Sequence, residues 1–189
     1  MTEEKPLADE LQRLAAAAKT ERVSIRPPPR DLGSIAIHID KDGSWFYRGT
    51  PISRASLVRL FASILRREAD GSYWLVTPAE RGRITVDEVP FLAVELTVGS
   101  AGSAHQLLTF RTNLDEIVTA DAEHPLRVVT GAGTGEPRPY LFVRDGLEAR
   151  LTRPVFYELV ELGAEERVGG MNRFGVWSGK HFFPLGDLR

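Results

Sequence analysis

The chain has 189 residues, 42% of them hydrophobic, with 24 basic and 26 acidic side chains and a net charge of −2. This length fits one domain or two small ones, and the near-neutral charge gives no electrostatic reason to expect nonspecific binding to nucleic acid or an anionic membrane. Cysteine is absent, which excludes disulfides, thiolate nucleophiles and cysteine-ligated metals.

No apolar run approaches the ~18 residues of a membrane-spanning helix. The opening MTEEKPLADELQRL is acidic and lacks the basic-then-apolar order of a signal peptide. The expectation is a soluble, cytoplasmic protein with no membrane span and no nucleic-acid polymer as partner.

Along the chain, Leu7 to Lys19 reads as a short helix, with Leu11, Leu14, Ala15 and Ala18 on one face. Pro27, Pro28 and Pro29 follow as a semi-rigid spacer. Residues 1–32 are therefore set apart as an appendage. From Gly33 the period changes to two. Ile35, Ile37 and Ile39 alternate with Ala36 and His38, as on a strand with one buried face. KDGS, Lys41 to Ser44, is a turn signal, and WFYR returns as the second strand of a hairpin.

A helix comes next, with Ser53 as its expected N-cap and Leu57, Leu60, Phe61, Ile64 and Leu65 as its apolar stripe. Asp70-Gly71 is expected to end it. Tyr73 to Thr77 and Gly82 to Val86 form a hairpin around PAER, and Phe91 to Val98 is a further strand. The small-residue run GSAGS, Gly99 to Ser103, is the expected internal boundary. It separates a first α+β unit, 33–98, from a second, 104–189.

The second unit opens with a strand, His105 to Arg111. TNLDE follows, read as a turn and a short helical start, and Leu126 to Thr130 is the next strand. GAGTGEPRP is a loop, and a hairpin is expected around Asp145-Gly146. Thr152 caps a second helix that buries Val155, Phe156, Leu159 and Val160, with Pro154 in its first turn. Gly169-Gly170 is expected to end that helix. Arg173 to Trp177 and His181 to Leu185 make the last hairpin, around SGK.

Both halves thus read hairpin, helix, hairpin. LFVRDGLEARLTRPVFYELVE, from Leu141, also echoes WFYRGTPISRASLVRLFASIL, from Trp45. Phe142 falls on Phe46, Arg144 on Arg48, Arg150 on Arg54 and Thr152 on Ser56. The expected class is α+β with a duplicated unit. Two such units commonly place a pocket between them.

Few motifs carry chemistry. GAGTG follows a strand, but Pro137 and Pro139 succeed it where a dinucleotide site needs a helix. DKDGS lacks the further oxygen ligands of a calcium loop. The four histidines, His38, His105, His124 and His181, have no metal-binding spacing, and no GxSxG elbow occurs. No catalytic or metal residue is assigned, and no cofactor is identified.

Twenty of the 24 basic residues are arginine, the side chain that grips carboxylate or phosphate bidentately. Arg48 and Arg144, then Arg54 and Arg150, recur at matching places in the two halves. With Arg83, Arg111, Thr112 and Asn113 they form a candidate anion site, and Trp177 or Tyr140 could stack on a planar group. The rival account is that these arginines pair with neighbouring Asp and Glu.

The blocks DGSWFYRGTPISRASLVRLFASILRREADGSYWLVTPAERGRITVDEVPF, LLTFRTNLDEIV, RPYLFVRDGLEARLTRPVFYELVE and GVWSGKHFFPL resemble the bacterial family called domain of unknown function 1285. The resemblance spans Gly33 to Leu185. It implies a duplicated α+β core whose C-terminal half is superficially pleckstrin-homology-like. It also implies a ligand site between the halves, for a nucleotide-like molecule, and a role in signal transduction rather than catalysis.

Three functions are therefore carried forward. The first is a non-catalytic module that binds an anionic, nucleotide-based small molecule. The second is a protein-interaction module with a signalling partner. The third is an enzyme whose acid–base site is assembled only in space.

Overall fold

The computed structural model describes residues 28–103, 105–131 and 135–187. The expected helix Leu7–Lys19, Pro27 and the centre of the GAGTG loop lie outside the described residues.

The chain divides into two compact units, one ending at Glu88 and the next beginning at Val89. The first holds β1 (Arg30–Ile39), β2 (Trp45–Tyr47), β3 (Thr50–Pro51), α1 (Ala55–Ser63), β4 (Leu65–Arg67), β5 (Tyr73–Val76) and β6 (Glu80–Val86). Its six strands form one sheet in the order β3-β2-β1-β6-β5-β4. All neighbours are antiparallel except β1 and β6, which run parallel.

The alternation of Ile35, Ile37 and Ile39 has the expected result. Ile37 and Ile39 are buried with Trp45, Tyr47, Leu65, Leu75 and Ile84, and Phe61 of α1 stacks on Trp45 at 6.4 Å. In the KDGS turn, the Asp40 carboxylate accepts the N–H groups of Asp42 and Ser44.

The second unit holds β7 (Phe91–Gly99), β8 (Leu107–Thr112), β9 (Ile117–Thr119), β10 (Leu126–Thr130), β11 (Pro137–Arg144), β12 (Leu147–Leu151), α2 (Arg153–Glu161), β13 (Ala164–Val168), β14 (Met171–Ser178) and β15 (His181–Asp187). Six of its strands form a sheet in the order β10-β11-β12-β7-β8-β9, and the last three form a sheet β13-β14-β15. Here the parallel pair is β7 with β12. Phe91, Leu108, Phe110, Leu141, Leu147, Leu151 and Val176 are buried, and α2 contributes Val155 and Leu159.

The result is an α+β protein, mostly sheet, with two helices among the described residues. Each unit contains a two-residue hairpin turn in left-handed conformation, Arg48-Gly49 in one and Asp145-Gly146 in the other. Each then has a nine-residue helix and three consecutive antiparallel strands.

Several expectations need correction. GSAGS does not divide units: it is the connection between β7 and β8, which pair along their length, and the division falls at Glu88/Val89. Asp70-Gly71 and Gly169-Gly170 do not end helices. Each lies in a hairpin turn, because the short strands β4 and β13 follow the helices. Leu65, taken as part of the helix stripe, is a strand residue opposite Leu75.

The N-cap of α1 is Arg54, not Ser53, and neither helix has a side-chain cap bond. TNLDE starts no helix. Asp115 adopts a φ of 66°, and β9 follows as an edge strand. On α2 the buried face is narrower than expected, since Val160 is exposed.

Candidate functional site

In the second unit β14 outruns its neighbour. The pairing of β13 with β14 begins at Ala164 opposite Gly175, so Trp177, two residues further along β14, has no β13 residue beside it. The chain reaches β13 from α2 through Leu162 and Gly163. At Gly163 a Cβ would strike the Phe174 ring, so only glycine lets the backbone pass this close.

The space left beside β14 is a pocket of about 540 Å³, lined by Gly102, Ser103, His105, Gln106, Leu162, Ala164, Trp177 and Lys180. Its size is in the usual range for small-molecule sites.

Gln106 replaces the missing strand. It is 7% exposed, and its Nε2 donates to the Trp177 carbonyl at 2.8 Å while its Oε1 accepts the Gly102 N–H at 3.0 Å. Its backbone carbonyl accepts the Gly179 N–H at 3.0 Å. The buried Ser178 hydroxyl extends this fastening, donating to the Ala120 carbonyl and accepting the Leu108 N–H. The bonds of Ser178 are thus made where water is scarce, since Ser178 and Leu108 are both fully buried.

The walls are mixed. Trp177 is 38% exposed and tilts against Phe182 at a centroid distance of 5.4 Å. Leu162 and Ala164 add apolar surface, and Ser103, His105 and Lys180 bring polar groups. Gly179 and Lys180 both have positive φ, 54° and 68°, so a tight turn presents the lysine at the pocket. Such a wall accepts a flat apolar body, and the ammonium suits an anionic group on it.

Of the residues singled out in the sequence, Trp177 lies at this pocket. Arg48, Arg54 and Arg83 belong to the first unit. Arg48 lies over the Tyr47 ring at 5.3 Å, Arg54 caps α1, and Arg83 is exposed on β6.

Arg111, Thr112, Asn113, Arg144 and Arg150 belong to the second unit but are not among the pocket's lining residues. Arg111 grips Glu95 at 2.7 Å and reaches Asp115 at 3.3 Å. The hydrogen bond to Glu95 raises its guanidinium above the ordinary arginine value. Arg144 holds Glu116 bidentately, at 2.9 and 3.1 Å. Thr112 is fully buried and its Oγ1 accepts the N–H groups of Leu114 and Glu116. Asn113 makes two bonds with Leu92: its N–H donates to the Leu92 carbonyl, and its Oδ1 accepts the Leu92 N–H. Arg150 stands opposite Tyr140 in the β11–β12 ladder.

Tyr140 is buried under Arg127, whose guanidinium is 4.4 Å from the ring centre. It therefore offers no open face for stacking. The pairing of arginine with neighbouring carboxylates, the rival account, describes Arg111 and Arg144.

Gln106 and Lys180 went unforeseen, because nothing local marks a glutamine that binds a strand 71 residues away. A histidine–carboxylate pair does exist, His38 Nε2 to Asp87 at 2.8 Å, but it lies half-exposed on the first sheet. Among the described residues, no three metal-ligating side chains are grouped to hold an ion, and no helix is long and apolar enough to cross a membrane.

The architecture is that of a two-unit α+β protein with a pocket built by the second unit. Residues 26–89 match the family model described as domain of unknown function (DUF1285), N-terminal domain, and residues 90–185 match the corresponding C-terminal domain. The chain belongs to the DUF1285 family. It is similar to the crystal structure of a DUF1285 family protein from Silicibacter pomeroyi DSS-3, with 42% identity, 94% of this chain and 95% of that chain covered, and a TM-score of 0.81. A DUF1285 family protein from Shewanella baltica OS155 is 28% identical over 68% of this chain and 92% of that one, with a TM-score of 0.53. No curated protein matches the chain.

Proposed function

We propose that this protein is a non-catalytic binding module whose second unit takes a small molecule with a flat apolar body and an anionic group. A nucleotide-based ligand fits that description, and a part in signal transduction fits a binding module. The observation that carries the reading is the half-open Trp177 wall beside Lys180 in a pocket of about 540 Å³.

The ligand's flat face would lie on the indole, and its phosphate or carboxylate would meet the Lys180 ammonium. Arg111 and Arg144, which already hold carboxylates, are not called on for this contact.

The repeated order of left-handed turn, helix and three antiparallel strands supports reading the chain as one unit used twice. The pleckstrin-homology-like character of the second half has the sequence resemblance as its support. A protein-interaction role is favoured by α2, whose outer face carries Tyr157, 63% exposed, and Val160, 36% exposed.

Calorimetric titration with adenosine monophosphate, adenosine, phenyl phosphate and inorganic phosphate tests the reading. Adenosine monophosphate or phenyl phosphate is expected to bind more tightly than phosphate alone. Trp177→Ala and Lys180→Ala should each weaken that binding at least tenfold, and Arg111→Ala should leave it unchanged. Equal binding by wild type and both pocket variants would overturn the assignment.

A further inference from the structure

We propose that β13 is a self-association edge, where two copies of the chain pair antiparallel about a two-fold axis and join their three-stranded sheets into one of six strands. β13 ends its sheet, with β14 on one side and, among the described residues, no strand on the other. Four of its five residues are exposed, and only Glu166 is intermediate. An edge of this kind presents unpaired N–H and C=O groups ready to template another strand.

The sequence of the edge is complementary to itself. Two antiparallel strands related by a two-fold axis always set one residue opposite its own copy. Centring the axis on Glu166 uses all five residues of AEERV. Glu165 of each copy then faces Arg167 of the other, which makes two reciprocal opposite-charge pairs. Ala164 of each copy faces Val168 of the other, an apolar match.

The cross-strand rows extend this pattern inwards. Val168 is already opposite Met171 on β14, and both are exposed, at 39% and 57%. Their apolar row would therefore continue across the axis. At the centre Glu166 faces Glu166, which is unfavourable on its own. Arg173 is the β14 neighbour of each Glu166, so the row runs arginine, glutamate, glutamate, arginine.

Charge on an edge strand is also how monomeric proteins block such pairing. Here Glu165 and Arg167 flank the centre so that a second copy pairs both, which a simple blocking charge would not do.

Sedimentation velocity of the whole chain, from low to high micromolar concentration, tests the proposal. The wild type is expected to form a dimer. Arg167→Glu makes both flanking pairs like-charged and should weaken self-association about tenfold or more. Glu165→Arg should do the same from the other side. The double variant Glu165→Arg/Arg167→Glu restores opposite charges and should recover the dimer. Because both positions are on the surface, matching thermal midpoints will show that the variants fold. A wild type that stays monomeric at high micromolar concentration would overturn the proposal. So would a dimer indifferent to either single reversal.

Discussion

Replacing Gln106 with methionine keeps the length of the side chain and removes both of its polar atoms. Two groups then lose their partners, the Trp177 carbonyl and the Gly102 N–H. A buried group left unsatisfied costs ~1–3 kcal/mol. Gly102 lies in an exposed turn, and the Trp177 carbonyl borders a pocket that admits water, so each belongs at the low end. The sum is ~2 kcal/mol, and for a chain of this size each kcal/mol lowers the midpoint by about 2–4 °C. Thermal unfolding of Gln106→Met should therefore show a midpoint lower by about 4–8 °C. Hydrogen exchange should show faster exchange at the Gly102 amide, which bonds the Gln106 side chain, while the Gly179 amide, held by the Gln106 backbone carbonyl, keeps its partner. A midpoint within about 1 °C of wild type, with the Gly102 amide unaltered, would refute the claim that Gln106 replaces the missing strand.

Three further outcomes are expected. Gly175→Ala places a Cβ 2.6 Å from Phe182 Cζ and 2.9 Å from the Pro184 Cα, and also against the Phe183 carbonyl. Backbone cannot step aside as a side chain can, so circular dichroism melts should show a loss of about 3 kcal/mol or more. The bidentate Arg144–Glu116 pair is partly screened, at 28% and 30% exposure, so a double-mutant cycle with alanine should give a coupling of about 1 kcal/mol; additive single effects would contradict the pairing. Asp70 is held below the ordinary carboxylate value by the hydroxyl and then the N–H of Ser72. Its contribution is therefore present above the unfolded value and lost as pH falls through the lower folded value. Asp70→Asn should lower the melting temperature near neutral pH and flatten its fall below about pH 4.

The parts of the fold legible in the sequence are those written in local pattern. The alternation around Ile37 and the turns at Gly43, Gly146 and Gly179 set hairpins where they were expected. β4, β9 and β13 were not legible for the opposite reason. They are three to five residues long and lie at sheet edges. Of these, LRR and AEERV carry charge where a buried strand would show an apolar period, and IVT is too short to show one. Their place is set by the strand beside them.

The parallel pairs β1–β6 and β7–β12 join segments far apart in sequence, which no local period reports. The carboxylate partners of two arginines are hidden from the sequence for a related reason. Glu95 and Glu116, the partners of Arg111 and Arg144, lie 16 and 28 residues away. In the sequence these two arginines show no partner, and in the fold each holds a carboxylate. Trp177 was named from the sequence as one of two aromatics able to stack on a planar group. The glutamine that completes its pocket was not.

The central claim is that Trp177 forms the wall of a ligand site, and its indole reports on that claim directly. Trp45 is buried, and the Trp74 indole is engaged by the Ser72 hydroxyl and covered by Arg81. The three indole N–H resonances should therefore be followed by NMR during titration with adenosine monophosphate. The account predicts that the Trp177 signal moves and saturates while those of Trp45 and Trp74 stay in place. Movement of the Trp74 signal alone, or saturating binding with the Trp177 signal unmoved, would contradict it.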